Sequence, residues 1–300
     1  MQKMSKSFEL LKIDLKMKLS IAIATYNEEK NIENCLNCVK EIADEIVVVD
    51  GTSTDNTVDI AKKFGAKILV KDNPPMFHIN KQKAIDLSTG DWILQLDADE
   101  YVSKGLAEEI KKIINMTDSE IQEYEKIIPE LFKRHKAVVE KRDGRIGNDS
   151  EPYAAFFLAR ANYFLGRYLK HGGVYPDGVI RLFKKGKAYL PCRDVHEQYV
   201  IEGRVGWLKH DLLHYDSPTF KKYIRRNNRY TTLIAGQYKE KKLSKNPITA
   251  INYIILKPFW WFILTFFRHK GFLDSWQGFV FSFFSSLRFP ISYFKYLKQS

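Results

Sequence analysis

Short apolar runs alternate with amphipathic segments through the first hundred residues, and this alternation limits the fold more than any other feature. Four runs have the length and boundaries of buried strands, and they cover residues 19–25, 45–50, 67–70 and 92–96. Between the first two runs, Ile32, Leu36 and Val39 fall on one face of a helix. Repeated units of this kind predict an α/β fold, with a mostly parallel, Rossmann-like sheet and helices on both faces.

The remainder of the chain changes character several times. Residues 115–152 are polar and helix-prone, strand-like runs return at 153–160 and 178–183, and the last part is basic and then aromatic. We therefore predict an N-terminal extension 1–18, a sheet domain 19–220 and a tail 221–300. Within the sheet domain, the boundaries separate a first half 19–114, a helical excursion 115–152 and a second half 153–220.

The net charge of +12 resides in the tail. Residues 1–215 carry 33 basic and 33 acidic residues, whereas residues 216–300 carry 15 basic and 3 acidic ones, a difference of 12. The basic stretch 221–245 leads into two aromatic-rich apolar runs, each interrupted by a cation and a proline. Such runs predict helices at a membrane interface, with the cations near anionic lipid. We expect no nucleic acid partner, because the basic stretch continues into an apolar one.

The amino terminus and the cysteine count bear on the location of the protein. The first residues contain no apolar core of signal-peptide length, and three cysteines are too few for a disulfide scaffold. We expect no export, and a peripheral or monotopic protein on the cytoplasmic face of the inner membrane. A helical interface between copies of the chain (a homo-oligomer) or a buried terminal subdomain is the alternative for the tail.

Acidic residues follow two of the predicted strands, where a doubly wound sheet binds its ligands. Asp50 ends the second strand, and Asp97 and Asp99 follow the fourth. Carboxylates there suit Mg²⁺ or Mn²⁺ bridged to substrate phosphates, or a ribose hydroxyl. Alternatively they cap the next helix, beside Ser103. The turn at 25–28 has no glycine and the chain has no P-loop, which argues against dehydrogenases and P-loop NTPases.

Three linked motifs and a longer pattern give the chain a family resemblance. The motifs are LSIAIATYNEEKNIENCL, DEIVVVDGTSTDNTVDIAKKFGAKI and GDWILQLDADEYVS, and the pattern continues through ARANYFLGRYLKHGGVYPDGVIRLFKKGKA and VHEQYVIEGRVGWLKHDLLHYD. Over residues 19–230 the chain resembles family 2 glycosyltransferases of the GT-A fold, in the branch of lipopolysaccharide-core β-1,4-glucosyltransferases. The resemblance implies inverting transfer of a glucose-like hexose from a UDP-sugar to a hydroxyl of a lipid-linked or cell-envelope glycan, with Mg²⁺ or Mn²⁺.

The resemblance also implies roles for individual residues. The nucleotide-sugar-binding residues it implies are Thr25, Tyr26, Asn27, Glu28, Asp50, Lys81 and Asp97. Asp99 is the implied metal ligand and Glu197 the implied catalytic base. The residues implied on the acceptor or diphosphate side are Arg181, His196 and His171.

The identity of the base stays open between three carboxylates. Asp194 is the first rival of Glu197, and Asp177 the second, although the dipeptide Asp-Gly at 177–178 predicts a turn. For Glu197 a surface ion pair with Arg193 or Arg204 is the structural alternative. An inverting displacement needs one base for the acceptor hydroxyl and a cation for the leaving diphosphate.

Two other functions compete with this interpretation. A polyprenyl phosphate acceptor would already be an anion, so that a general base would matter less. A non-catalytic membrane-binding protein on the same scaffold would explain the tail, but it would not explain acidic residues at the ends of two predicted strands.

Overall fold

The structure, a computed structural model, describes residues 16–193 and 197–299. Its strands are β1 (Leu19–Thr25), β2 (Glu45–Asp50), β3 (Lys67–Val70), β4 (Trp92–Asp97), β5 (Glu100–Val102), β6 (Tyr153–Phe164), β7 (Arg167–Tyr168), β8 (Asp177–Lys184), β9 (Ala188–Tyr189), β10 (Val200–Ile201) and β11 (Arg204–Ser217). Its α-helices are α1 (Ile32–Val39), α2 (Thr57–Lys63), α3 (His78–Leu87), α4 (Lys104–Ile113), α5 (Asp118–Tyr124), α6 (Glu130–Asp143), α7 (Phe220–Glu240), α8 (Pro247–Ile251), α9 (Lys257–Ile263), α10 (Ser275–Ser286) and α11 (Arg288–Lys298).

The first half of the sheet is parallel and brings three strand ends together. The strand order is β3-β2-β1-β4, and all three pairings are parallel. Thr25 of β1 lies beside Asp50 of β2, and Ala24 lies beside Asp97 of β4. Parallel strands end at one edge of a sheet, so the acidic strand ends of the sequence meet there. The four strands predicted in this half are confirmed.

The second half continues the same sheet with antiparallel strands. The order runs β4-β8-β6-β11-β5, in which β8 is antiparallel to β4 and to β6. Strand β11 is parallel to β6 and antiparallel to β5. The last pairing places His214 opposite Glu100, so a distant histidine is brought to the acidic motif.

Apolar side chains cover both faces of the sheet. On one face, Ile21 and Ile23 of β1 belong to a core cluster with Leu36 of α1. On the other face, Ala22 belongs to a cluster with Ala84 of α3. Successive residues of a strand point to opposite faces, so a strand buried on both sides needs an unbroken apolar run. The runs in the first half of the sequence have that form.

The excursion at 115–152 is helical and is attached to the second half of the sheet. Phe132 and Val139 of α6 are buried, and the Phe132 ring centroid lies 5.0 Å from that of Trp207 on β11. Thr117 and Glu120 form a reciprocal capping box at the start of α5. Although the excursion is mostly polar, a narrow apolar face of α6 packs against the sheet domain.

The tail is docked onto the sheet domain by buried polar contacts as well as aromatic ones. Asp274 is 1% exposed, and its carboxylate accepts hydrogen bonds from the backbone amides of Lys170 and His171 at 3.0 and 2.8 Å. Within the tail, Lys295 Nζ of α11 donates to the Asn228 carbonyl of α7 at 2.7 Å. The tail is therefore a packed part of the molecule.

A continuous helical segment, Pro247–Arg268, is the one part of the described chain that is long and apolar enough to cross a membrane. Its most apolar stretch of 18 residues has a mean hydropathy of 1.4, and only 6% of that stretch is buried. Phe259 and Trp260 are each 65% exposed on it. Short π-helical stretches at Asn252–Leu256 and Leu264–Arg268 interrupt its regular hydrogen bonding.

Candidate active site

Asp50 is the centre of a hydrogen-bond network between the ends of β1 and β2. Its buried carboxylate accepts hydrogen bonds from the Thr25 hydroxyl and from the Ser53 backbone amide, both at 2.8 Å. Asn27, whose φ is 55°, donates its backbone amide to the Ser53 hydroxyl at 2.8 Å. Tyr26 is 47% exposed next to these contacts. The network fixes both turns and leaves the Tyr26 ring open to solvent.

Glu28 extends this network towards α2. Its backbone amide donates to the Thr57 hydroxyl at 2.8 Å, and its carboxylate accepts from the side-chain amide of Asn31 at 2.7 Å. Burial raises the pKa of the Glu28 carboxyl, and the hydrogen bond from Asn31 opposes this shift. All five residues predicted from the first two strand ends therefore lie in one connected turn region.

Asp97 lies in a buried cluster with Glu100 and with cations from three elements. Its carboxylate contacts Lys81 Nζ and lies 2.7 Å from Arg181 Nη2. The fully buried Glu100 lies 2.8 Å from the same Arg181 nitrogen and 3.2 Å from Arg160. Lys81 comes from α3, Arg160 from β6 and Arg181 from β8. The cluster thus joins both halves of the sheet at the end of β4.

Arg181 and Lys81 keep the Asp97 carboxyl ionised although it is buried. Burial by itself would raise the pKa of the Asp97 carboxyl, but Arg181 and Lys81 outweigh burial and hold that pKa well below its usual range. Burial lowers the pKa of the Lys81 ammonium, and Asp97 opposes this shift. Asp97 is consequently an anion whose oxygens are already occupied by protein cations.

Asp99 has looser partners than Asp97. His214 Nε2 lies 3.6 Å from Asp99 Oδ2, and Lys222 Nζ lies 4.0 Å from the same oxygen. His214 Nδ1 is 2.6 Å from Asn162 Oδ1, an acceptor that orients the imidazole with Nε2 towards Asp99. Burial would raise the pKa of the Asp99 carboxyl, but His214 outweighs it and the pKa is lowered. Helix α4 is capped by the Ser103 hydroxyl, so the capping role considered for these acids is already filled.

Asp99 and His214 together fit a divalent cation that arrives with its substrate. Among residues 16–193 and 197–299, no group of three or more His, Cys, Asp or Glu side chains is placed to hold a metal alone. One carboxylate and one imidazole leave most positions of an octahedral cation to phosphate oxygens and water, as is usual for Mg²⁺ with nucleotides. The donor set suits that arrangement.

Glu197 lies in a polar pocket with a histidine. Its Oε1 is 3.1 Å from His78 Nδ1 and accepts a hydrogen bond from the Cys192 backbone amide at 2.6 Å. Its Oε2 accepts from the Arg193 backbone amide at 2.9 Å, and the side chain is 11% exposed. Burial lowers the pKa of His78, and Glu197 opposes this shift. These contacts differ from the surface ion pair that was the alternative for Glu197.

The two rival carboxylates are placed differently. Asp177 is the first residue of β8 and serves no Asp-Gly turn, contrary to expectation, because it pairs with β6. Its carboxylate lies 2.7 Å from Arg160 Nη2, and Arg160 outweighs burial to lower the Asp177 pKa. Asp194 and His196 lie outside the described residues.

A cleft of about 710 Å³ joins four of the predicted site residues, Lys81, Asp97, Arg181 and Glu197, to the tail. Asp50, Asp99 and the turn at residues 25–28 do not line it. Lys81, Asp97 and Glu197 line it from the sheet domain, and Tyr223 and Arg288 line it from the tail. The tail, for which the sequence predicts membrane contact, therefore also forms a wall of the cleft. The predicted acceptor-side residues Arg181 and His171 lie in different places. Arg181 lines the cleft, whereas the His171 ring is 3.0 Å from Asp274 and helps to dock the tail.

Several polar residues of the site were missed by sequence reasoning. They are His78, Glu100, Arg160, His214, Arg226 and Arg288. Glu100 directly follows the two aspartates, and this acidic run was the available signal. The others come from elements far apart in the chain, and no spacing links them.

The parallel half-sheet, the carboxylates at its strand ends and the charged cleft define a GT-A enzyme of the nucleotide-sugar transferase class. The profile of glycosyl transferase family 2 matches residues 20–173. An uncharacterized glycosyltransferase of Rickettsia felis is 30% identical over 266 residues, which cover 88% of this chain and 83% of that protein. The chain belongs to glycosyl transferase family 2, and it is a transferase that uses a nucleotide sugar.

The chain is also similar to a second curated protein and, over a shorter stretch, to a solved structure. A lipopolysaccharide core biosynthesis glycosyltransferase, LpsC of Rhizobium meliloti, is 27% identical over 286 residues, which cover 91% of this chain and 92% of that protein. Among solved structures, glucosyl-3-phosphoglycerate synthase of Mycobacterium tuberculosis, in complex with Mn²⁺, UDP and glucosyl-3-phosphoglycerate, aligns with 28% of this chain and 34% of that chain, at 23% identity and a TM-score of 0.26.

Proposed function

We propose that the protein transfers a glucose-like hexose from a UDP-sugar to a hydroxyl of a lipid-linked or cell-envelope glycan, with inversion at the anomeric carbon. The observation that carries this proposal is one cleft lined by Asp97 at the end of β4, by Lys81 of α3 and by Glu197. The full-length similarity to LpsC supports a lipopolysaccharide acceptor.

In this proposal the turn region holds the nucleotide. Tyr26 and Asn27 take the base, and Glu28 and Asp50 take the ribose side, where ordered carboxylates can accept hydroxyl hydrogens. Lys81 and Arg181 carry the charge that faces the diphosphate, although both are paired with Asp97 before a donor arrives. Donor binding then redistributes an existing set of ion pairs, which costs less than desolvating new charges.

Asp99 and His214 hold Mg²⁺ or Mn²⁺ in this proposal. Such a cation neutralises the charge that develops on the leaving diphosphate. The weak contacts of Asp99 support this role, because its partners at 3.6 and 4.0 Å leave its oxygens able to turn.

Glu197 takes the proton of the acceptor hydroxyl. Two backbone amides and His78 hold its carboxylate in place, which limits the reorganisation needed at the moment of proton transfer. The proton moves to a Glu197 oxygen as the acceptor oxygen bonds to the anomeric carbon and the nucleoside diphosphate leaves. One base and one displacement give the inverted product.

The tail supports an assignment to the cytoplasmic face of the inner membrane, as a monotopic protein. Its basic charge suits anionic lipid, and its exposed aromatic residues suit the headgroup boundary. A lipid-linked acceptor would then meet the cleft from the side that the tail lines.

The donor site is tested by thermal stability of the purified protein against a panel of nucleotide sugars, with and without Mn²⁺ or Mg²⁺. We expect a metal-dependent rise in Tm with one uridine sugar, because a ligand that binds only the folded state stabilises it by mass action. In Asp99→Asn the metal dependence should vanish. The matched control is Asp59→Asn, since Asp59 is exposed on α2 and pairs with Lys62 away from the site. A donor shift that ignores Asp99→Asn, or no shift with any donor, would contradict the proposal.

A further inference from the structure

The tail contributes cations to the wall of the cleft. Arg226 comes from α7, and Arg288 is the first residue of α11. Tyr223 and Ser285 line the cleft close to them in the chain. The proposed donor chemistry uses none of these residues.

Within residues 16–193 and 197–299, Arg288 is the lysine or arginine of the cleft lining that has no carboxylate partner. The other lysine and arginine side chains of its lining each pair with a carboxylate: Lys81 and Arg181 with Asp97, Arg160 with Asp177, and Arg226 with Asp216. Among residues 16–193 and 197–299, no carboxylate lies within ion-pair distance of Arg288. A partly buried charge without a partner is costly, so the structure leaves a position for an external anion.

The guanidinium of Arg288 is held in place by aromatic rings. It lies 4.0 Å from the centroid of the Trp261 ring and 4.8 Å from that of Phe289. Trp261 is itself fixed, because its indole N–H donates to the Ser285 hydroxyl at 3.2 Å. A planar guanidinium stacked in this way keeps its N–H edge free for two hydrogen bonds to one phosphate.

The surroundings of Arg288 indicate an amphiphilic ligand. Trp261 belongs to the exposed apolar segment Pro247–Arg268, and Phe283 of α10 is 43% exposed. An acyl or polyprenyl chain can lie along this apolar surface while its headgroup enters the cleft.

We propose that Arg288, stacked on Trp261, binds the phosphate of a lipid-linked acceptor and so positions its glycan in the cleft. The identification of this lipid phosphate as the acceptor rests on the proposed function, but the anion site itself does not require that function. The ligand class is a lipid phosphate, in which the phosphate meets the guanidinium and the chain meets the apolar helix.

The test is isothermal titration of the full-length protein, without nucleotide sugar, with short-chain phosphatidic acid below its micelle concentration. We expect Arg288→Gln to weaken this binding roughly ten-fold or more, the loss typical of a charge-assisted hydrogen-bonded contact. The matched control is Lys257→Gln, which removes the same charge from the same tail; Lys257 lies 3.5 Å over the Tyr253 ring and does not line the cleft. Its expected effect is less than about two-fold, the size of a screened surface charge.

Three further arms decide the outcome. Equal losses in Arg288→Gln and Lys257→Gln would overturn the site, because diffuse charge would then explain the binding. If inorganic phosphate binds as tightly as phosphatidic acid and with the same dependence on Arg288, the ligand is a free phosphate and the lipid assignment is overturned. If circular dichroism shows that Arg288→Gln is unfolded, Arg288→Lys replaces it, with a severalfold loss expected because the planar fork is lost; binding equal to that of Lys257→Gln would then overturn the site.

The nucleotide-sugar panel and the phosphatidic acid titration test separate sites, so one proposal can be refuted while the other stands. Phosphatidic acid binding that depends on Arg288, together with no nucleotide-sugar binding, would refute the proposed function and leave the anion site. Nucleotide-sugar binding with no effect of Arg288→Gln would refute the anion site alone.

Discussion

At the scale of the residue, Asp97 and Asp99 differ in how their oxygens are occupied. Asp97 contacts Lys81 and lies 2.7 Å from Arg181. The partners of Asp99 are looser, since the His214 and Lys222 nitrogens lie 3.6 and 4.0 Å away. In the proposed function, these two carboxylates, which are separated by one residue, have different tasks: Asp97 organises the cations around the diphosphate, and Asp99 binds a metal. This division is set by neighbours from β8, β11 and α3 and not by the D-x-D spacing.

Removal of the Glu197 carboxylate should affect turnover more than donor binding. For Glu197→Gln we expect kcat to fall by about 10²- to 10⁴-fold, the usual contribution of a positioned general base. The Tm shift caused by the nucleotide sugar should be kept, because the base acts on the acceptor. Product formation from a hydroxyl acceptor and a radiolabelled donor gives kcat.

The control for this substitution is Glu202→Gln, since Glu202 is 66% exposed and its nearest cation, Lys187, lies 4.0 Å away. A loss of only a few-fold in Glu197→Gln would assign the base to Asp194, or would favour a phosphate acceptor that needs no base. Substitution of Asp194 then separates these two possibilities.

At the scale of the element, Glu45 ties the start of β2 to its neighbours. Its carboxylate accepts hydrogen bonds from the Ser20 hydroxyl of β1 and from the Thr89 backbone amide before β4, and it lies 2.6 Å from Lys67 Nζ of β3. Burial would raise the pKa of Glu45, but Lys67, the Ser20 hydroxyl and the Thr89 backbone amide outweigh it and lower the pKa to about 2. The Glu45 side chain thereby links β1, β2 and β3 at the edge of the parallel half-sheet opposite to Asp50.

Glu45→Gln should destabilise the protein in a pH-dependent way. At pH 7 we expect the free energy of unfolding to fall by about 1–3 kcal/mol, because charge-assisted hydrogen bonds are lost. The folded-state pKa is below the unfolded value of about 4.3, so the contribution of Glu45 is complete above that value and disappears as the pH falls towards 2. Urea unfolding at a series of pH values measures both curves; a constant difference between wild type and variant down to pH 2 would contradict the linkage.

At the scale of the whole molecule, the tail has two faces with different surroundings. One face lines the cleft through α7 and the junction of α10 and α11, and it is attached to the sheet domain through Asp274. The other face exposes a series of large apolar side chains, among them Phe259, Trp260 and Trp276. Membrane contact on one face and substrate contact on the other would couple the location of the enzyme to access of its acceptor.

The exposed face should carry the affinity for membranes. Each aromatic side chain gains about 1.5–3 kcal/mol on burial, so Phe259→Ser with Trp260→Ser should weaken partition into anionic vesicles by on the order of 10²-fold. Vesicle co-sedimentation measures this ratio. The control pair, Leu131→Ser with Val138→Ser, removes exposed apolar residues from α6 (51% and 66% exposed) and should leave partition unchanged.

Unchanged partition in the tail variant would show that this face does not enter the membrane. Analytical ultracentrifugation of the same variant then tests the alternative for the tail, since a loss of self-association would identify the face as an interface between copies of the chain.

The order of strands and helices in the first half can be predicted from the sequence, because hydrophobic periodicity and turn residues are local properties. β1, β2 and β3 have the bounds that their apolar runs predicted. Asp50 and Asp97 are the last residues of β2 and β4, and Asp99 follows β4. The family was likewise accessible, because its motifs are contiguous. The roles of the individual site residues remain predictions.

Long-range pairing and packing determine which side chains meet. His214 reaches Asp99 because β11 pairs with β5, and Arg160 reaches Glu100 because β11 lies between β5 and β6. Arg288 reaches the cleft because the tail folds back onto the domain. Such contacts depend on sheet pairing and on the packing of distant apolar surfaces, and no local pattern encodes them. The elements and the family could therefore be predicted from the sequence, while the ion pairs of the cleft and the place of the tail in its wall follow from long-range packing.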